Sequence, residues 1–213
     1  MNDLGGPQIH CTNGVIDNWA ADEKECYKQI ANFLSYMPNH GGVLPPCITS
    51  TDPPGRPCPE LRTIIPRRRQ RTYFIRPVIE SVVDKGTFFE IGANWGRTVV
   101  VGLARVNGRT IGVFADDPMV NAGALDAGGC QKFSKHLKLC DVMGIPLLQL
   151  VDIPGFAIGT AAERSGVMKW ATELCRTYWT TTIPIFTVII RRCYGIGGCI
   201  LVDNRQPNCR VAW

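Results

Sequence analysis

Apolar positions along the chain follow two alternating periods. Val99–Val106, Thr110–Ala115, Ile145–Val151 and Ile185–Ile190 are compact apolar runs of strand character. Between them the apolar residues recur at helical spacing: Phe133, Leu137 and Cys140 in Ala127–Met143, and Val167, Trp170, Ala171 and Leu174 in Thr160–Thr177, with Tyr178 next on that face. Asn107-Gly108 joins the first two runs and predicts a hairpin, because both central residues of such a turn need positive φ. From residue 99 the predicted order is strand, strand, helix, strand, helix, strand. That order indicates a layered α/β unit with parallel pairing.

Upstream, Cys26, Ile30, Phe33, Leu34 and Met37 predict a helix over Asp22–Met37, with acidic residues at its start. Arg76–Val83 predicts another helix, and Thr87–Ile91 a short strand. Residues 1–20 are polar and glycine-rich and predict loop. Pro38–Pro59 is dense in proline and glycine without periodicity, and is the best domain boundary in the chain. The final apolar strand leads into a helix start at Gly195 and then a polar stretch, so an open sheet edge is expected there.

The stretch Val151–Cys199 holds two successive strand-to-helix junctions. The first carries Gly155 and Gly159; the second carries Gly195, Gly197 and Gly198. In open α/β layers ligands sit at the carboxyl ends of strands. Helix-start N–H groups there are unpaired, and glycine lets a ligand approach the backbone. Two such donors aimed at a developing negative oxygen form an oxyanion hole, which suits chemistry through a thioester enolate. The same glycines also serve tight turns and close helix packing, and the pattern alone leaves both readings open.

Composition narrows the chemistry. The chain has 213 residues, 45% hydrophobic and 19% charged, an ordinary globular balance. Its formal charge of +5 comes partly from one run, Arg67, Arg68, Arg69 and Arg71. That run reads as solvated surface or as a phosphate or partner contact; without a matching motif it does not indicate nucleic-acid binding. The ten cysteines include no CxxC pair and fall partly in apolar periodic segments, and no basic-then-apolar leader follows Met1. They read as reduced thiols of an intracellular protein, with no metal site expected. No apolar run reaches membrane-spanning length, so no membrane association is expected. The three histidines, His10, His40 and His136, lie outside HExxH, and GxSxG, GxxxxGK and GxGxxG are absent. Cys193 and Cys199 flank the second junction, but a cysteine nucleophile needs a base and no histidine is near in sequence.

The residues resemble a known family. FFEIGANWGRTVVVGLARVNGRTIGVFADDP (88–118), AGALDAGGCQKFSKHLKLCDVMGIPLLQLVDIPGF (122–156), GTAAERSG (159–166) and TIPIFTVIIRRCYGIGG (182–198) are similar, in order, to the β-subunit-type carboxyltransferase component of biotin-dependent acyl-CoA carboxylases, the acetyl-, propionyl- and methylcrotonyl-CoA group. LGGPQIHCTNGVIDNWAADEKE (4–25) resembles the end of that family's N-terminal half.

The resemblance implies a crotonase-like (ClpP/crotonase) ββα layered α/β fold, truncated at both ends. Residues 1–37 would be the tail of the N-terminal domain, 38–60 a linker, and 61–213 an incomplete C-terminal domain. It implies transfer of a carboxyl group from carboxybiotin, on a carrier protein, to the α-carbon of an acyl-CoA through enolates held by backbone amides. Cofactor and substrate would supply the reactive groups, which accounts for the missing acid–base pair. By match of motifs the catalytic positions are Gly197 and Gly198, with Cys199 next in line. Gly155, Phe156, Gly159, Thr160, Tyr194 and Gly195 would line the biotin side, and Asp117, Gly123 and Ala124 the acyl-CoA.

A valine at Gly198 would then abolish transfer and leave the sheet folded. Implied partners are the biotin carboxyl carrier protein, biotin carboxylase, and further copies or a chain supplying the rest of the N-terminal domain. The implied compartment is cytoplasm or mitochondrial matrix. Where many members read Ala-Asn-x-Pro, this chain has Ala115-Asp116-Asp117-Pro118. A decarboxylase or transcarboxylase of the same fold, or an inactive fragment that binds a related subunit, are the alternative readings.

Overall fold

A computed structural model describes residues 5–68, 70–202 and 209–213. Its helices are α1 (Pro7–His10), α2 (Glu23–Tyr36), α3 (Leu61–Ile64), α4 (Ile75–Val82), α5 (Ala127–Met143), α6 (Thr160–Arg164), α7 (Val167–Thr180) and α8 (Gly195–Leu201). Its strands are β1 (Phe89–Ile91), β2 (Val99–Val106), β3 (Arg109–Asp116), β4 (Leu147–Ile153), β5 (Ile185–Cys193) and β6 (Cys209–Ala212). They form one sheet in the order β1-β2-β3-β4-β5-β6. The first three strands pair antiparallel and the rest parallel.

The hairpin forms where expected, with φ of 50° at Asn107 and 75° at Gly108. Helix α5 is bounded by local chemistry. The Asp126 carboxylate accepts the Gly129 N–H at 2.7 Å and the Thr98 hydroxyl at 2.9 Å. At the other end Gly144 turns left-handed with φ of 64°. The buried ring of Phe133 on α5 stacks on Phe114 of β3 with centroids 3.9 Å apart, and Leu137, Leu174 and Tyr178 extend that layer over one face of the sheet. Val78 and Ile79 of α4, with Tyr73, Ile75 and Val83, pack on the opposite face against Val100, Ala104, Val113 and Leu150. Burial on both faces explains why the strands read as near-continuous apolar runs.

Three expectations are corrected. The predicted helix Thr160–Thr177 is two helices, because Gly166 adopts φ of 71° and breaks the turn between α6 and α7. The sheet edge is β6, which pairs parallel with β5 from Phe186↔Cys209 to Ile189↔Ala212. Four residues after a polar stretch carried too little periodicity to announce a strand. The short helix α1 likewise lay within residues read as loop. Helix α2 forms as expected, but its apolar stripe is largely uncovered: Cys26, Ile30 and Leu34 are exposed, whereas Tyr36 and Met37 are buried.

Residues 38–60 lie against the domain. Ile48 N–H donates to the Gly108 carbonyl at 3.0 Å, and the Thr110 hydroxyl to that of Pro46 at 3.2 Å. Arg56 pairs with Asp52 at 2.9 Å and donates to the carbonyls of Ser81 and Val83. A Cβ at Gly108 would fall on the Ile48 carbonyl oxygen, at a residue already left-handed. Gly108→Ala is therefore expected to lower the unfolding free energy by about 1–3 kcal/mol, read as a lower urea midpoint.

Candidate functional site

Strands β4 and β5 end side by side and release their chains into the two glycine junctions. Tyr194 N–H donates to the Ile153 carbonyl at 3.1 Å, so the second junction starts against the end of β4. A Cβ built on Gly197 would lie 3.6 Å from Gly155 and 2.9 Å from the tip of Ile153. The first junction is stitched to the loop before α5: Leu125 N–H donates to the Gly155 carbonyl at 3.1 Å, and Ala157 N–H returns to Leu125 at 2.9 Å. The structure thus assembles Gly123, Ala124, Gly155, Phe156, Tyr194, Gly195 and Gly197 at one place. Gly159 and Thr160 start α6 on the exposed arm of the first junction.

The amides of the second junction are not equivalent. Gly198 N–H donates to the Tyr194 carbonyl at 3.2 Å and closes the first turn of α8. Cys199 follows it inside the helix. The N–H groups of Gly195, Ile196 and Gly197 precede the first helical hydrogen bond and have no acceptor among the described residues. The outward donors are therefore one to three residues upstream of Gly198. Ile196 was not singled out by sequence, because a bulky residue between glycines gave no sign that its backbone was the functional part.

Gly198 instead packs: a Cβ there would sit 2.7 Å from the Cys193 carbonyl carbon and 2.9 Å from its sulfur. A valine at 198 would deform the β5–α8 junction itself, contrary to the expectation that the fold would be untouched. Cys193 donates its thiol to the Gly198 carbonyl at 3.5 Å, and burial raises its pKa, which disfavours a thiolate.

Beneath the junctions lies a buried polar hub. Asp152, at the end of β4, is fully buried and receives Arg191 at 2.8 Å, Arg192 at 2.7 Å and the Tyr73 hydroxyl at 3.0 Å. Burial, and then the Asp152 charge, push the Tyr73 phenol pKa up and keep it a donor. Each arginine carries the hub outward. Arg192 donates to the Ala122 carbonyl at 2.8 Å, and Arg191 to that of Arg71 at 2.8 Å. Ala122 belongs to a left-handed stretch, with φ of 48° at Asn121, 52° at Ala122 and 82° at Gly123. Such backbone at a non-glycine residue costs about 1–3 kcal/mol and persists only where surroundings hold it. No local sequence pattern announced this loop.

The two aspartates at the family's Ala-Asn-x-Pro position take different roles. Arg76 pairs with Asp117 at 3.1 Å, and the other oxygen of Asp117 accepts Met119 N–H at 3.0 Å. Asp116 is fully buried; one oxygen accepts Asp152 N–H at 3.0 Å and the other has no partner among the described residues. Burial raises its pKa well above the usual carboxylate value; the hydrogen bond from the Asp152 N–H pulls it down, the Asp152 charge pushes it up, and Arg192 lowers it least. A protonated Asp116 is neutral, like the amide it replaces.

A raised folded pKa contributes stability present below the unfolded value of about 4 and lost as pH rises through the folded value. The Asp116 contribution to stability is therefore expected to fall on going upward from about pH 4. Asp116→Asn should remove that component while still accepting the Asp152 N–H. Urea titrations across pH on both proteins check this; parallel profiles would refute it.

The fold and junction define a class: an α/β layer that offers backbone N–H groups at the carboxyl ends of neighbouring parallel strands. The chain belongs to the carboxyl transferase domain family, which matches residues 1–213. It is 36% identical over 196 residues to the mitochondrial propionyl-CoA carboxylase beta chain of Homo sapiens, covering 92% of this chain and 36% of that protein. It is 35% identical over 196 residues to the propionyl-CoA carboxylase carboxyltransferase subunit of Haloferax mediterranei, covering 92% of this chain and 38% of that one. Among solved structures, transcarboxylase 12S, a hexamer with methylmalonyl-coenzyme A and methylmalonic acid bound, superposes with a TM-score of 0.94 at 31% identity. That match covers 100% of this chain and 41% of that one. The fold is accordingly crotonase-like. The chain spans about two fifths of the length of these relatives.

Proposed function

We propose that this chain forms the biotin-facing half of an acyl-CoA carboxyltransferase site, serving carboxyl transfer from carboxybiotin to the α-carbon of a short acyl-CoA. The observation that carries this is the set of unpaired amides at Gly195, Ile196 and Gly197, set against Gly155 and Phe156. The residues fit a biotin ureido group: the amides of Ile196 and Gly197 donate to its oxygen, and Phe156, Tyr194 and Ile196 offer apolar surface for its rings. The chemistry that bound carboxybiotin supplies is the transferable carboxyl group and, once that has left, a base. The chain's part is to hold the ureido oxygen, orient it and exclude water. The hub at Asp152 holds the junctions in place through Arg191 and Arg192.

Residues 1–37 would complete an N-terminal domain, 38–60 link it, and 61–213 form the biotin-facing domain. Asp117, paired with Arg76, would shape the acyl-CoA side only through that pair, whereas Gly123 and Ala124 border the junction directly. The partners of this reading are a biotin carrier protein, biotin carboxylase, and either further copies in a homo-oligomer or a chain that supplies the rest of the N-terminal domain. No helix among the described residues is long and apolar enough to cross a membrane; cytoplasm or mitochondrial matrix is the compartment of this reading.

Titrating 15N-labelled chain with free biotin tests the site without requiring activity. Amide shifts should concentrate at Gly195–Gly197 and Gly155–Phe156. Shifts confined elsewhere, or none at millimolar biotin, would refute the assignment. With an N-terminal half supplied, propionyl-CoA should accept label from carboxybiotin.

A further inference from the structure

Cys193 and Cys199 bracket the second junction, and no other two cysteines of the chain stand as close in sequence. The residues between them run from Tyr194 to Gly198. They include the amides of Gly195, Ile196 and Gly197, which have no acceptor among the described residues. Both thiols are free.

The two sulfurs differ in access. Cys193 ends β5 and is half-buried, with its sulfur wedged against Gly198: the thiol donates to the Gly198 carbonyl at 3.5 Å, and a Cβ at 198 would sit 2.9 Å from that sulfur. Cys199 is the next residue along and is exposed. Its Cα is one peptide unit from the carbonyl oxygen that the Cys193 thiol touches, so it lies no more than about 6 Å from the Cys193 sulfur. The Cys193 thiol accordingly feels Cys199: burial first, then the charges of Asp116 and Cys199, push its pKa up. A disulfide spans Cα atoms about 4.4–6.8 Å apart, so a local shift of the α8 turn suffices to close one. Helix α8 is suited to that shift. It has 7 residues, with Gly197 and Gly198 inside it and Gly195 left-handed at its start; glycine gives a helix little hold.

We infer that Cys193 and Cys199 form an oxidation site for hydrogen peroxide, at which a reversible disulfide closes around the α8 turn and withdraws the amides of Gly195, Ile196 and Gly197. Cys199, the exposed sulfur, reacts first. Its thiolate attacks one peroxide oxygen; the S–O bond forms, the O–O bond breaks, and the departing hydroxide takes up a proton as water. The sulfur is thereby oxidised by two electrons to the sulfenic acid, and the peroxide is reduced. The Cys193 sulfur then attacks the Cys199 sulfur; the S–S bond forms, the S–O bond breaks, and hydroxide leaves with the Cys193 proton as a second water. A dithiol reverses the bond by exchange. Drawing Cys199 towards β5 breaks the bond from Gly198 N–H to the Tyr194 carbonyl, which sets where the outward donors point. That those donors serve biotin rests on the function proposed above; the bridge rests on the two thiols alone.

The test treats the full chain with hydrogen peroxide under native conditions, then alkylates it and digests it with trypsin. Residues 193–205 leave as one peptide that carries both cysteines. That peptide should be unalkylated and two hydrogens lighter than its reduced form, and dithiothreitol should restore it. In 15N-labelled chain the Gly195–Gly197 amide peaks should move on oxidation and return on reduction, while those of β2 and α5 stay in place. Free biotin should bind the oxidised chain roughly tenfold more weakly than the reduced one, or less tightly still. In Cys193→Ser peroxide should carry Cys199 on to the sulfinic acid, and in Cys199→Ser it should leave Cys193 a thiol. The inference is overturned if both sulfurs of the treated wild type still alkylate, if Cys199 reaches the sulfinic acid without a bridge, or if either cysteine pairs elsewhere. A bridge that leaves the Gly195–Gly197 amides or an existing biotin affinity unchanged would overturn it too. A reduced chain that binds no biotin, but whose Gly195–Gly197 amides move with the bridge, would sink the proposed function and leave the oxidation site standing.

Discussion

Replacing Ile196 by proline is expected to slow carboxyl transfer by about 10²–10³-fold while leaving the fold intact. The substitution removes one N–H that points out of the first turn of α8 and has no acceptor among the described residues. Proline is compatible there, because the missing donor makes no helical bond. The preceding residue, Gly195, is left-handed with φ of 64° and has no Cβ, so of the two pre-proline contacts only that of the ring with its N–H is left. An oxyanion donor of this kind contributes about 2.7–4 kcal/mol at the transition state. Ile196→Val keeps the amide and should stay within a few-fold of wild type. Gly198→Val gives a different signature, because its side chain runs into the Cys193 carbonyl; it should lose thermal stability and activity together. Label transfer to propionyl-CoA in the complemented enzyme, beside thermal midpoints, separates these cases. A full rate in Ile196→Pro would remove the α8 amides from the mechanism.

Much of this was legible in the sequence because the local and tertiary signals agree. The periods of Val99–Val106 and Ala127–Met143 mark β2 and α5 at the residues where they form. Both lie where one apolar face meets a buried layer, so pattern and packing coincide. The site was legible as a place but not as donors. Glycines marked Gly155 and Gly195–Gly198 because they announce turns, yet which amide is left over depends on where the first helical bond closes. Tyr194 accepts from Gly198, and that hydrogen bond moves the outward donors to Gly195–Gly197.

The hub was illegible for a different reason. Asp152, Arg191 and Arg192 are 39 and 40 residues apart in sequence, and only the parallel pairing of β4 with β5 brings them together. The uncovered stripe of α2 misled in the opposite sense: its period announced a helix, but period does not say what covers it.

The largest stability effect should come from that hub. Asp152→Ala is expected to cost about 3–5 kcal/mol, because it leaves two charged guanidinium groups without their buried counter-charge. Against a total of about 5–15 kcal/mol for a domain, that is a large share. Arg191 and Arg192 have side chains only 8% and 13% exposed, so water can compensate little of the loss. Asp152→Asn should recover only part of it, since an amide keeps the shape but returns no charge. Tyr73→Phe removes one hydrogen bond and should cost about 1 kcal/mol.

The losses should not be confined to stability. Without Asp152, Arg192 loses its hold on the Ala122 carbonyl, and the left-handed stretch Asn121–Gly123 loses the contact that keeps it strained. Arg191 in turn releases the Arg71 carbonyl. Asp152→Ala should therefore weaken biotin binding at temperatures where the sheet is still folded. Arg192→Met, which frees the Ala122 carbonyl beside the junction, should weaken biotin binding more than Arg191→Met does. Urea midpoints together with the biotin titration decide the matter. If Asp152→Ala lay within about 0.5 kcal/mol of wild type, Asp152 would have to be counted as a surface pair rather than a buried anchor. If the two methionine variants weakened biotin binding equally, the division of labour between Arg191 and Arg192 would be wrong, and the two ends of the hub would have to move as one piece.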